Sequence, residues 1–173
     1  MIFISHSENQ TKKIGKKIAA KLKGGEVLAL KGDLGAGKTI LAKGIAEGLG
    51  YKKIVNSPTF VLMKIYKVKF QISNPFGKLR TSFKFQKNNK YQKLNIKTEN
   101  RIIKNICHID AYRISAAEEI EAIGALEYFG RPDAVSIVEW PEKIKKILPR
   151  NTIWVELGYG KKEEERMITL DKK

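Results

Sequence analysis

Residues Gly32-Asp33-Leu34-Gly35-Ala36-Gly37-Lys38-Thr39 constrain this chain more than any other stretch. They fit the spacing G-x-x-x-x-G-K-[ST], a loop that wraps phosphate. Its glycines let consecutive backbone N–H groups turn inward as an anion-binding nest. Such a loop works between a strand and a helix, because the helix N-terminus adds its dipole to the amides. The flanks supply both elements. Glu26 to Leu30 is a short apolar run that reads as a buried strand, and Lys38 to Leu49 reads as a helix. The loop thus predicts nucleotide contacts from Leu34, Gly35, Ala36, Gly37, Lys38 and Thr39. Lys38 is expected to reach the β- and γ-phosphates and to serve catalysis there, and the Thr39 hydroxyl to ligate Mg²⁺.

The rest of the chain continues the alternation of strands and helices. Ser7 with Gln10 reads as a capping box, followed by Ile14, Ile18 and Leu22 on one helical face and a stop at Gly24-Gly25. After the Ser57-Pro58-Thr59 turn, Phe60 to Tyr66 reads as a strand. Ile106 to Asp110 and Ala134 to Glu139 are apolar strands that each end in an acid. Ser115 with Glu118 suggests a second capping box, opening a helix that carries Ile120 and Ile123. Pro141 suits the first turn of a short helix through Leu148. Thr152 to Leu157 and Arg166 to Leu170 read as a closing strand pair joined at Gly158-Tyr159-Gly160. The predicted fold is an α/β sheet with parallel central strands and antiparallel additions, flanked by helices, with nucleotide at the carboxyl ends of the strands.

At 173 residues the chain is expected to form one domain, 1–173, with an insertion at about 67–105. That insertion holds most of the net charge of +16: residues 67–104 carry eleven Lys or Arg against a single acid, Glu99. Within it Thr81 to Phe85 alternates as a solvated hairpin arm would. Basic side chains interleaved with Phe83, Phe85 and Tyr91 suit a tRNA contact by phosphate pairing and stacking. A solvated extension in a Lys-rich chain fits the same composition. One cysteine, Cys107, excludes an internal disulfide framework and suits a reducing cytoplasm. No apolar run approaches membrane-spanning length, so a cytoplasmic protein without membrane contact is expected.

A phosphate loop needs a further acid on the metal side, conventionally at a strand end. Two are offered, Asp110 and Glu139. One of the pair would hold Mg²⁺ with Thr39 while the other orients the attacking water. His108 beside Asp110 suits either a proton shuttle or a buried structural role, and Cys107 is expected to pack in the core. No second Cys or His stands at zinc spacing.

Four blocks then occur in order: the phosphate loop, Ser57-Pro58-Thr59-Phe60, His108-Ile109-Asp110-Ala111-Tyr112-Arg113, and Val138-Glu139-Trp140-Pro141-Glu142. This set resembles the bacterial TsaE family, the ATPase of tRNA threonylcarbamoyladenosine biosynthesis, over residues 1–66 and 106–170. The resemblance implies a Mg²⁺-dependent ATP hydrolase working with TsaD and TsaB proteins, slow alone and stimulated by those partners. It further implies Mg²⁺ at Thr39 and Glu139, water activation by Asp110, and γ-phosphate sensing by Thr59. Glu8 and Thr11 match the family's N-terminal nucleotide-contacting segment and Arg166 a C-terminal basic position, all three expected to bind nucleotide, and Trp140 suits either a place beside the site or a core indole next to a sheet edge. Two departures stand out. Ile40 replaces a second Thr, and the link from Tyr66 to His108, short in the family, is lengthened here by the basic segment. Arg113 suits an internal arginine finger, a partner contact, or pairing with Glu118 or Glu119.

Two other functions are built on the same loop. A small-molecule or nucleoside kinase would need an arginine-bearing lid, and this chain has six arginines in 173 residues. A nucleic-acid-binding switch would use the nucleotide for conformation alone.

Overall fold

A computed structural model describes residues 1–68, 103–162 and 164–171. The elements run β1 (Ile2–Ser5), α1 (Glu8–Ala19), β2 (Val27–Lys31), α2 (Lys38–Gly48), β3 (Met63–Lys67), β4 (Asn105–Asp110), α3 (Glu118–Ala122), β5 (Ala134–Glu139), β6 (Ile153–Tyr159) and β7 (Arg166–Asp171). Two 3₁₀ helices, Ala125–Tyr128 and Pro141–Ile147, complete the set. The seven strands form one sheet in the order β1-β7-β6-β2-β5-β4-β3. Pairing is parallel from β6 through β2 and β5 to β4, and antiparallel at both ends. The expected parallel centre with antiparallel additions is the observed sheet.

Central strands buried on both faces need apolar side chains in both directions, and these have them. Leu28 and Leu30 pack with Ile14 and Ile18 of α1 and with Leu41 and Ile45 of α2. Val27, Cys107, Ile109 and Val138 join Ile120 and Ile144 in a second cluster. Each fully buried Leu or Ile contributes roughly 1.5–3 kcal/mol. The two long helices approach closely at glycines. A Cβ on Gly15 would stand 2.7 Å from the Leu41 carbonyl oxygen, and one on Gly44 would overlap the Lys12 carbonyl.

Several local expectations shift. The strand expected from Phe60 begins at Met63, because the Val61 N–H bonds back to the Pro58 carbonyl and Leu62 is left-handed at φ 60°. Helix α1 ends at Ala19 rather than at Gly24: Lys21 and Leu22 N–H groups bond to Ile18 and Ala19 carbonyls, tightening the final turn. Ser7 caps α1 as expected, but the Gln10 side chain accepts from the His6 N–H instead of returning to Ser7. Near α3 it is Glu119, not Glu118, that accepts the Ser115 and Ala116 N–H groups, at 2.9 and 3.0 Å, and Ala117 occupies the cap. Those two bonds hold the Glu119 carboxyl below its usual range. Gly158 and Tyr159 pair with Met167 and Arg166 inside the sheet, so the final turn starts at Gly160. Strand β1 was not anticipated.

The insertion is entered and left at neighbouring strand ends, since Lys67 pairs with Asn105. Thr81–Phe85 and the tRNA contact proposed for the segment lie outside the described residues. Among the described residues, no helix is long and apolar enough to cross a membrane.

The Gly44 contact is testable. Gly44→Ala should lower unfolding free energy by about 1–3 kcal/mol through overpacking, read by denaturant melts. An unchanged midpoint would contradict the close approach of α1 and α2.

Candidate functional site

Strand β2 ends in the phosphate loop, and α2 starts directly after it. Gly37 caps that helix at φ 95°, a left-handed conformation open to glycine at little cost. Lys38 turns back across the loop. Its Nζ donates to the carbonyls of Gly32 at 2.6 Å and Asp33 at 2.8 Å. The same ammonium stands 3.7 Å from the centroid of the Trp140 ring. Burial holds the Lys38 ammonium below the usual lysine range, and the charge of Glu139 offsets part of that. The loop is braced from the neighbouring strands β6 and β7. Tyr159 donates its hydroxyl to the Leu34 carbonyl at 2.6 Å, and Arg166 donates to the Gly35 carbonyl at 3.3 Å.

Parallel register places the two acids beside each other, with Asp110 directly opposite Glu139. Both are buried. Glu139 Oε2 accepts the Thr39 hydroxyl at 2.8 Å, and His108 Nε2 lies 2.8 Å from Oε1. Asp110 is held differently. Its Oδ2 accepts from the Ser57 hydroxyl at 2.9 Å and from the Thr59 hydroxyl, and Oδ1 accepts the Tyr112 N–H at 3.0 Å. The Ser57 and Thr59 oxygens also stand 2.6 Å from each other, so two hydroxyl protons are shared among three contacts. The segment before β3 is thus tied to the end of β4 through one carboxylate.

These groups line two cavities that share the loop. One, of about 420 Å³, is lined by Leu34, Lys38, Thr39, Ser57, Thr59, Asp110, Tyr112, Glu139 and Trp140, among others. The other, of about 570 Å³, is lined by Thr11, Glu164 and Arg166 with Ser7 and Ile40. Glu8, Gly35, Gly37 and Ile40 border both. The residues expected to contact nucleotide or metal or to activate water all lie on one of these walls except Ala36, which is buried; His108 and Arg113 line neither. Thr11 reaches its place with its hydroxyl bonded to Ser5 at 2.8 Å. Among the described residues there is no group of three or more His, Cys, Asp or Glu suited to a metal. Thr39 and Glu139 offer a pair of hard oxygens instead. That donor set fits a cation such as Mg²⁺, which keeps waters and takes phosphate oxygens for the remaining positions.

The family model described as "Threonylcarbamoyl adenosine biosynthesis protein TsaE" matches residues 5–77 and 70–168. The chain belongs to the TsaE family. It is 36% identical over 160 residues to the tRNA threonylcarbamoyladenosine biosynthesis protein TsaE of Bacillus subtilis, covering 92% of this chain and 78% of that one. With the protein of the same name from Haemophilus influenzae it shares 34% identity over 130 residues, which span 75% of this chain and 61% of the relative. A crystal structure of Bacillus subtilis YdiB superposes with a TM-score of 0.63 at 29% identity, covering 98% of this chain and 83% of that one.

In this TsaE chain several contacts were not foreseen. Ser57, a member of the Ser-Pro-Thr-Phe block with no role assigned from sequence, joins Thr59 on Asp110, and two hydroxyls two residues apart are a signal for such a shared acceptor. Tyr159 was assigned to a turn, which hid its position on β6 facing the loop. Trp140 adopts φ 59°, which carries its ring over Lys38 and to 5.0 Å from the Tyr112 ring. Arg113 stacks on Phe60, with its guanidinium 4.4 Å from the ring centroid. Cys107 alternates with His108 along β4 and is buried as expected; burial pushes its thiol from 9.0 up to about 12.

A thiol raised in the native state stabilises the fold fully below the unfolded value, and that contribution fades as pH rises through the native one. The stability advantage of wild type over Cys107→Ala should therefore shrink between pH 9 and pH 12. Denaturant melts across that range check it. A constant difference would contradict the burial of the thiol.

Proposed function

We propose that this chain is a Mg²⁺-dependent ATPase acting with TsaD-like and TsaB-like proteins to form threonylcarbamoyladenosine on tRNA. Membership of the family supports the pathway. The observation that carries the chemistry is the gathering of a phosphate-loop lysine, a metal-side hydroxyl and two strand-end acids around one cavity.

In this reading the triphosphate lies along the loop amides, with the base and sugar toward Glu8, Thr11 and Arg166. Two N–H groups of Lys38 are already committed to loop carbonyls, so the ammonium is held in place with a third donor for phosphate. The Thr39 hydroxyl and the Glu139 carboxylate would hold Mg²⁺, which would neutralise the charge that builds on the phosphate oxygens. Because Thr39 donates its proton to Glu139, its oxygen lone pairs would remain for the cation. Asp110 orients the attacking water and takes its proton, as the water oxygen bonds to the γ-phosphorus and the bond to the ADP oxygen breaks.

The Asp110 carboxylate is engaged by Ser57 and Thr59. Release by the Ser57–Thr59 segment opens further acceptor sites of Asp110 to the attacking water, and Thr59 is then available to the γ-phosphate. A hydrolysis step gated by that release is slow in the isolated chain. Partners that favour the released segment accelerate it.

The test is ATP turnover alone and with TsaD-like and TsaB-like proteins, comparing wild type with Asp110→Ala. Stimulation by the partners is expected, with a loss of about 10²-fold or more in the variant. Unaffected turnover would remove Asp110 from its role. Transfer of phosphate to a metabolite rather than to water would favour a kinase.

A further inference from the structure

His108 lies on β4, and strand alternation directs it to the same side as Asp110. Its side chain is 1% exposed, and that of Glu139, its partner, is 3% exposed. A carboxylate removed from water needs donors in place of its lost hydration. Glu139 has one on each oxygen: the Thr39 hydroxyl on Oε2 and the His108 ring on Oε1, both at 2.8 Å. The other ring nitrogen, Nδ1, meets no hydrogen-bond partner among the described residues. The imidazole therefore makes a single directed hydrogen bond, and that bond goes to Glu139. The neighbouring Tyr66 ring is 6.2 Å away between centroids, and its hydroxyl is donated to the Asn56 carbonyl instead.

A histidine with one nitrogen left unsatisfied in the interior costs stability that a leucine in the same space would not. What leucine lacks is the N–H on Glu139 Oε1. With Thr39 alone as donor, the Glu139 carboxylate would be tethered at one oxygen and free to swing about its terminal bond. With both donors its plane is set, and Oε2 is kept toward Thr39.

We propose that His108 is a positioning residue, which fixes the Glu139 carboxylate and thereby sets how tightly the Thr39–Glu139 pair takes a divalent cation. The inference rests on the proposed metal-side role of that pair. It separates His108 both from proton transfer and from simple packing, the two roles its sequence position suggested.

The experiment measures the affinity of a fluorescent, non-hydrolysable ATP analogue without metal and across a Mg²⁺ titration. It uses wild type, His108→Gln, His108→Asn and His108→Leu, with a melting temperature for each. Gln can place an amide N–H near the position of Nε2, whereas Asn falls short of it. His108→Asn and His108→Leu should leave the metal-free affinity unchanged and raise the Mg²⁺ needed for half-maximal effect by about 10- to 100-fold. His108→Gln should recover most of that loss. Variants that titrate like a Mg²⁺-responsive wild type would overturn the inference alone. So would a loss of metal-free affinity by the same factor, or Gln behaving like Asn and Leu. A wild type indifferent to Mg²⁺ would overturn the metal-side reading itself, and the inference with it.

Discussion

The site depends on three parallel strands ending level with one another. Leu30 of β2 is opposite Glu139 of β5, and Glu139 is opposite Asp110 of β4. Because the register is set by apolar side chains on both faces, a slip of one residue would turn Leu28, Ile137 and Ile106 out of the cluster they share. The same slip would turn Glu139 and Asp110 away from the loop. Core packing and site geometry are therefore a single constraint. The bond from Thr39 to Glu139 closes it, joining the start of α2 to the end of β5.

Around that bond Glu139, His108 and Asp110 are buried and linked to the half-buried Thr39, Ser57 and Thr59. Thr39, Glu139 and His108 form one chain of contacts, and Ser57, Thr59 and Tyr112 surround Asp110 in another. In a region of low dielectric such networks are strong when satisfied and costly when broken. The two acids differ in what holds them. Glu139 is held by rigid elements, a strand and a helix terminus. Asp110 is held by a turn segment whose apolar neighbours Phe60 and Val61 are exposed. That asymmetry suits a fixed metal-side acid and an acid whose engagement changes.

Much of this was legible in the sequence, for physical reasons. The phosphate loop declares itself because its glycines and lysine leave few other uses. Asp110 and Glu139 were visible because an apolar strand ending in an acid breaks a strong pattern. The less legible parts rest on long-range pairing. Strand β1 is four residues with exposed Ile2 and Ile4, and only its pairing with β7 makes it a strand. Tyr159 becomes a brace for Leu34 only once β6 lies beside β2. The shift from Glu118 to Glu119 shows a different limit. Two adjacent glutamates present equal capping chemistry, and local geometry chooses between them.

The family, the sheet and the gathered side chains all meet at the loop, and the central claim is that Mg²⁺–ATP binds there in the geometry hydrolysis needs. A crystal structure with Mg²⁺ and a non-hydrolysable ATP analogue tests it most directly. The account predicts the triphosphate on the Gly32–Thr39 amides, the cation bound at the Thr39 hydroxyl on the Glu139 side, and Asp110 facing the γ-phosphate. A nucleotide bound elsewhere, or one whose cation lies away from Thr39 and Glu139, would contradict it.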